Sequence, residues 1–598
     1  MDSKKYRRGG HFLVHHPLAE EVFIREDFGE EQRMMFQAAC DFMKSEVEPH
    51  LHRFEQGDYP LVEELMHKAG QLGLLGLSVP EAFGGLGMGF NVSMLICEEI
   101  SSMTGSLATA FGAHTGIGTL PIQYYGSQDL KVRFLSKIAS GEWIACYNLT
   151  EPGAGSDANS GKTVAVLTQD GHHYEITGQK IWISNAGFAQ VFIVFARIED
   201  DKNISCFVFH RDDVQGLTMN AEEHKMGIKS SSTRQVFYDK VKVPAEAMLG
   251  QRGDGFKIAV NVLNAGRIKL AAATNGAAFK VIGLMSRYAN ERHQFGKSIG
   301  SFGAVQEKIA RCSALVYATD AALYRAGDAI EKLQNALKAE GKSEEEAKLK
   351  GLEEYAVECA ILKVYGSEVM AMVADEGVQI YGGMGYSADA PMEAAYRDAR
   401  ISRIYEGTNE INRMLIVDMM LRKALKGHVD LLGPARKVAG ELMEIPDFGA
   451  EEPTGYLAPE SKVLMQLKKA ALLVAGAAVQ HYGTALAEEQ EALMRMADMA
   501  MEVYILESVL LKTQKMEPKI QPAEIEVRSA LVKLQAYHAA EQCSKAGKEV
   551  ILSLPDNDEQ RMMLMGLRRF TKTIPYDIKS LRRMVATHVL EKNAYPFS

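Results

Sequence analysis

The chain has 598 residues, 47% apolar and 24% charged, a globular composition that excludes disordered, collagenous and coiled-coil chains. Its 77 acidic and 67 basic side chains leave a net charge of −10, which argues against nucleic-acid binding as the main activity. Seven scattered cysteines without a C-x-x-C pair fit reduced thiols in a cytoplasmic protein, and Met1–His11 lacks the apolar core of a secretory signal.

Helical periodicity dominates the first 142 residues. Helices are expected over Gln32–Val47, Leu61–Leu72, Val92–Met103, Ser106–Tyr125 and Gln128–Ser140. From Trp143 short β-rich runs follow: Thr163–Leu167, Tyr174–Thr177, Lys180–Ser184, Val191–Ala196, Ser205–His210 and Arg234–Val243. Turn residues such as Asp170-Gly171 separate them, the pattern of an antiparallel β domain over 143–255. Long helices return over 256–426: Phe256–Arg292, Ala304–Leu337, Glu344–Tyr381 and Asn409–Lys426. Ser343 and Glu346 form a capping box before the third, which stops at Gly382-Gly383.

Residues 427–598 begin with a proline-bearing connector (Pro434, Pro446, Pro453, Pro459) and continue as a second helical bundle. Its helices are expected over Ser461–Tyr482, Gly483–Gln514, Ala523–Ala546 and Asp556–Phe570. Met494, Met496, Met499 and Met501 read as core packing. The longest apolar runs, such as Ala470–Val479, reach about half of the ~20 residues that cross a bilayer, so no transmembrane segment is expected. Lys468 and Lys469 beside that run fit either a core helix or peripheral membrane contact. The fold class is therefore mainly α, with a central antiparallel β domain and a C-terminal helical bundle.

Chemistry concentrates at the junctions. In Tyr147-Asn-Leu-Thr-Glu-Pro-Gly-Ala-Gly-Ser-Asp157, small residues and exposed N–H groups let the main chain approach a flat ligand closely. Some 25 residues later, Lys180-Ile-Trp-Ile-Ser-Asn-Ala186 puts one of the two tryptophans beside a serine on a strand. Together these segments resemble the flavin-binding stretch of the acyl-CoA dehydrogenase family. Arg292-His-Gln-Phe-Gly-Lys297 and Gln379-Ile-Tyr-Gly-Gly-Met-Gly-Tyr386 resemble further family segments, as does Ile404-Tyr-Glu-Gly-Thr-Asn-Glu-Ile411. Thr408 is also a plausible N-cap for the helix that follows Glu406.

The resemblance implies FAD as cofactor and a fatty acyl-CoA as substrate. For the flavin half it implies contacts from Tyr147, Leu149, Thr150, Ser156 and Trp182, with Ile183, Ser184, Thr408 and Glu410 completing the site. Arg292, Gln294 and Phe295, with Gln379 and Gly383, would hold the adenosine half across a homodimer interface. Glu406 is implied as the base that removes the α-proton, the flavin accepting the β-hydride. Gly266 stands where other members carry an alternative catalytic Glu, which leaves Glu406 as the base. Ser156, Asn264 and Arg267 are implied contacts of the CoA moiety, and Tyr405 and Gly407 of the substrate. Small residues at Ala108 and Gly112, where medium-chain members carry larger polar ones, leave a deeper acyl cavity. With the C-terminal bundle they point to a long-chain or very-long-chain dehydrogenase that passes electrons to an electron-transfer flavoprotein. The alternatives are an oxygen-using acyl-CoA oxidase and a scaffold for respiratory-complex assembly.

Overall fold

The computed structural model describes residues 8–442 and 454–598. The N-terminal helices are α1 Glu30–Phe42, α2 Leu51–Phe54, α3 Tyr59–Gln71, α4 Phe90–Ile100, α5 Gly105–Gly112, α6 Leu120–Tyr125 and α7 Gln128–Ala139. The expected helix Ser106–Tyr125 is two pieces, because a π-turn over Ala113–Gly118 and Pro121 in the first turn of α6 interrupt it.

The strands are β1 Ala145–Asn148, β2 Val164–Leu167, β3 His173–Ser184, β4 Val191–Ile198, β5 Ile204–His210, β6 Leu217–Met219, β7 Thr233–Pro244 and β8 Met248–Leu249. Their order is β6-β7-β3-β2-β4-β5-β8, with β1 on β4. The sheet is mixed rather than antiparallel throughout, since β1 and β2 both pair with β4 in parallel. β1 escaped the pattern because all four of its residues are buried, which removes the alternation a half-buried strand shows. The two runs expected at 174–184 are one strand with register shifts after Ile176 and Lys180. Gly178 sits at the first shift, where a Cβ would lie 2.5 Å from Thr163 Oγ1.

Beyond the sheet come α8 Gly255–Glu291, the short hairpin strands β9 His293–Gln294 and β10 Lys297–Ser298, and α9 Gly303–Ala339. They are followed by α10 Glu344–Glu354, α11 Ala356–Tyr381, α12 Pro391–Ile401 and α13 Asn409–Leu425. The expected helix Glu344–Tyr381 breaks at Tyr355, whose backbone leaves the helical region. The Ser343 hydroxyl caps α10 by accepting from Glu346 N at 3.1 Å.

The C-terminal bundle comprises α14 Leu432–Glu441, α15 Ala458–Tyr482, α16 Gln490–Met516, α17 Pro522–Leu552, α18 Asp558–Phe570 and α19 Ile578–Lys592. Pro434 lies inside α14, so the expected connector is partly helical, while Pro446 and Pro453 fall outside the described residues. Helix α19 was missed because charged residues dilute its apolar face. Its Val585, Ala586 and Val589 are nonetheless fully buried.

The bundle shares one continuous apolar core with the N-terminal helices and α8–α13, whereas one face of the sheet has its own core. Met496, Met499 and Met501 are buried in the shared core, as their spacing suggests. Buried charge reinforces the seam. Lys512 on α16 meets Asp320 on α9 at 2.5 Å, and Asp320 also receives Arg25 Nε at 2.9 Å. Glu507 on α16 accepts from Lys468 and from Arg325 of α9, each at 2.5 Å. By length and composition alone, Gly255–Glu291 and Ala458–Glu488 are apolar enough to cross a membrane, contrary to the reading from short runs. Most of each apolar window is buried inside the protein, and Lys468 points into an ion pair, so α15 is a core helix.

Candidate active site

Glu406 sits in the loop between α12 and α13, and the loop is held from every side. Glu406 and Gly407 are consecutive left-handed residues, with φ of 59° and 81°. For a non-glycine side chain this conformation costs about 1–3 kcal/mol and persists only where surroundings enforce it. Arg267 of α8 donates to the Glu406 carbonyl at 3.4 Å, and Asn412 to that of Gly407 at 2.8 Å. Lys363 of α11, fully buried, donates to Gly407 O at 2.6 Å and Asn409 Oδ1 at 2.8 Å. Thr408 caps α13, accepting from Ile411 N at 3.3 Å. Asn409 also donates to Glu368, which forms a double hydrogen bond with Arg413 at 2.7 and 2.8 Å. Arg413 in turn reaches Asp498 of α16 at 2.7 Å, so the C-terminal bundle is wired to this loop.

The Glu406 carboxyl is pushed up to about 7 by burial, against the opposing charges of Arg267 and Lys363. Its Oε2 is buried without a hydrogen-bond partner among the described residues. A base of that strength, unpaired and out of water, can take a proton from carbon next to a carbonyl. The carboxyl lies against Gly266 of α8, where a Cβ would come within 2.6 Å of Oε2. Gly266→Ala therefore displaces the base while suiting the helix. The expected result is a folded protein whose flavin reduction slows about 10²-fold, the order of loss for a ~1 Å misplacement, as read by stopped-flow absorbance.

From Glu406 a cavity of about 440 Å³ runs between α5 and α8, its wall including Tyr405, Ser184, Ala108 and Gly112. A Cβ on Gly112 would meet nothing within 4 Å. Asn264 and Arg267 are not on this wall. They are 2% and 4% exposed and pair with each other at 2.8 Å, so they brace the loop from behind instead of meeting a CoA moiety there.

On the sheet side, the loop from Leu149 is anchored by a buried pair, Lys180 to Glu151 at 2.6 Å, with Lys180 also donating to Leu149 O at 3.1 Å. Neither residue was singled out from the sequence, although a lysine in a strand with buried neighbours is the available signal. Trp182 is left-handed (φ 62°) and 55% exposed, so it is not the core tryptophan of an ordinary strand. Thr150 O accepts from Ile181 N at 2.9 Å, which fixes that strand beside the loop. Gly153 and Gly155 face open space and Ser156 is exposed, while Ile183 is buried and offers only its backbone. The Tyr147 hydroxyl is buried without a partner among the described residues, and the Glu406 charge acts on it. An exposed tryptophan, open glycines and an orphaned hydroxyl fit the isoalloxazine and ribityl chain of a flavin.

Arg292, Gln294 and Phe295 form a separate group on the β9–β10 hairpin, with Phe295 94% exposed. Gln379 is exposed and Gly383 open, and Tyr381 between them stacks on Tyr288 of α8 with ring centroids 4.0 Å apart. Glu410 is exposed in the first turn of α13. None of this second group lines the cavity.

The geometry is that of an enzyme that moves a proton at the head of an acyl-sized cavity, beside a flat cofactor. Comparisons with known proteins carry this further. Residues 29–142 match the acyl-CoA dehydrogenase N-terminal domain, 146–241 the middle domain, 253–421 the C-terminal domain, and 466–569 a further C-terminal domain of the same enzymes. A probable acyl-CoA dehydrogenase of Bacillus subtilis (strain 168) is 41% identical, covering 98% of each chain. A crystal structure of acyl-CoA dehydrogenase complexed with FAD from Bacillus anthracis is similar with a TM-score of 0.94 at 40% identity, over 98% of this chain and all of that one. The mitochondrial very long-chain specific acyl-CoA dehydrogenase of Rattus norvegicus is 33% identical over 89% of this chain and 83% of its own. The protein is an FAD-dependent oxidoreductase acting on acyl-CoA thioesters. It belongs to the acyl-CoA dehydrogenase family.

Proposed function

We propose that the protein is a long-chain to very-long-chain acyl-CoA dehydrogenase, converting the saturated thioester to the trans-2-enoyl-CoA. The observation that carries this is the length of the cavity. It follows one face of α8 from Gly266 past Leu270, Ala273 and Ala277 to Leu284. The eighteen steps between those residues span about 27 Å at ~1.5 Å per residue. Each further methylene that enters this apolar space adds about 0.8 kcal/mol of binding.

In this reading Glu406 takes the α-proton, and the Tyr405–Gly407 loop meets the thioester. The exposed Ser156 meets the CoA arm, and Arg267 keeps the base in place. Water exclusion by the acyl chain strengthens the base further. FAD, when bound, supplies the acceptor for the β-hydride. Tyr147, Leu149, Thr150, Trp182, Ser184 and Thr408 would hold its flavin half. Arg292, Gln294, Phe295, Gln379 and Gly383 stand apart on the surface, as expected if they serve the cofactor of a second subunit in a homodimer. Electrons then pass to an electron-transfer flavoprotein.

The test is a turnover profile across saturated acyl-CoA lengths with that flavoprotein as acceptor, in the natural protein and in Gly112→Glu. A carboxylate in the apolar cavity should cut kcat/KM for long chains while sparing medium ones. Equal loss at all lengths would mean that Gly112 does not set chain length. Rapid reoxidation of the reduced enzyme by air would favour the oxidase.

A further inference from the structure

Lys269 follows Gly266 by three residues on α8, is 5% exposed and lines the acyl cavity. Other buried lysines face carboxylates. Lys180 meets Glu151, Lys468 meets Glu507, Lys512 meets Asp320, and Lys131 meets Glu345, at 2.5–2.7 Å. Lys363 holds the loop that carries Glu406. Lys269 has no such ion pair among the described residues, and its Nζ donates to the Thr115 carbonyl, at 3.3 Å. Burial lowers its ammonium pKa, and the Cys97 thiol offsets this only in part.

At the end of α4, which packs against α8 through Cys97 and the Lys269 carbonyl, stands Ser101, also on the cavity wall. It is 3% exposed, and among the described residues its Oγ finds no oxygen or nitrogen partner, only the weakly polar Cys97 thiol. Both residues line a cavity whose neighbouring wall is Leu270, Ala273, Met103 and Ile117. A plain hydrocarbon tail satisfies neither group, and it desolvates both at a cost that a leucine or methionine would not incur.

We infer that the cavity is built for an acyl-CoA whose chain carries an oxygen acceptor, received by Lys269 and Ser101. This rests on the acyl-CoA dehydrogenase reading above. The acceptor is a chain hydroxyl or a terminal carboxylate. Along α8 the Lys269 α-carbon lies about 4.5 Å beyond that of Gly266, against which the base rests, so the acceptor is expected a few carbons past the reacting pair.

The experiment measures kcat/KM with the holoenzyme for plain, hydroxylated and ω-carboxylated acyl-CoAs, with the oxygen moved along the chain. The variants are Lys269→Met and Ser101→Ala. In the natural protein the substrate oxygenated at the matching depth should exceed its plain counterpart about tenfold or more, the order of a hydrogen bond to a charged group. Lys269→Met should abolish that preference and raise kcat/KM for the plain chain. The hydroxyl and carboxylate arms separate a neutral from an anionic acceptor. The inference is overturned if no oxygenated chain is preferred at any position, or if Lys269→Met lowers all substrates alike, which would make Lys269 a prop for Thr115. Should that variant not fold, the preference in the natural protein and its loss in Ser101→Ala decide the matter. An enzyme inactive on every acyl-CoA, plain or oxygenated, would refute the dehydrogenase reading instead.

Discussion

Glu406→Gln is expected to give a folded protein that retains FAD but is reduced by substrate about 10²–10⁴-fold more slowly, the range for loss of a positioned base. The amide keeps the shape and cannot accept the α-proton. Its unfolding temperature should be equal or higher, because the variant no longer buries an ionisable carboxyl whose Oε2 lacks a partner. The natural enzyme should show a matching pH dependence. Burial raises the carboxyl to about 7, so the rate of flavin reduction should climb as pH rises through 7 and level above it. Lys363, lowered to about 8 mainly by burial, should begin to lose its charge and its grip on the loop beyond that. Stopped-flow reduction across pH 5–9 tests both statements. A flat profile, or near-normal reduction of Glu406→Gln, would remove Glu406 from the role of base.

Glu507→Ala should produce the largest loss of stability. Glu507 is 1% exposed and neutralises two buried cations, Lys468 and Arg325. Removing one partner of a buried pair costs about 3–5 kcal/mol, and here two charges are stranded together. Burial alone would raise the Glu507 carboxyl, but Arg325 and Lys468 outweigh it and hold it below the ordinary range. A carboxyl lowered on folding contributes stability that is present above its unfolded pKa and is lost as pH falls through the folded value. Urea denaturation at neutral pH should therefore separate the variant from the natural protein clearly, and the gap should narrow in acid. An unchanged midpoint would mean that the α9–α16 seam does not depend on this pair.

Much of the fold was legible because long amphipathic helices and turn-bounded strands carry strong periodic signals. The failures have specific causes. Ala145–Asn148 is buried on both faces and shows no alternation, Gly178 looks like a turn but marks a bulge, and Pro434 suggests a break where it opens a helix. In the site, Glu406, Trp182 and Gly112 could be picked out because motif wording or side-chain size marks them. Lys180, Lys269, Lys363 and Asn412 could not. They act through groups far away in sequence, and a lone polar residue in an apolar stretch does not reveal what it faces. Arg267 and Asn264 could be recognised, but not their orientation, which depends on how α8 meets the Glu406 loop.

The chain of contacts from Asp498 through Arg413 and Glu368 to Asn409 has a practical meaning for anyone who would shorten this protein. The segment after Lys426 looks like an optional appendage, since residues 29–421 already match three domains of the family. Cutting it away removes a counter-charge from the helix that begins three residues after the base, and uncovers Asp320 and Arg325 on α9. A trimmed version should be a poorer catalyst as well as a less stable one. Its defect should appear in kcat before it appears in substrate affinity, because the groups set loose hold the base and not the acyl chain.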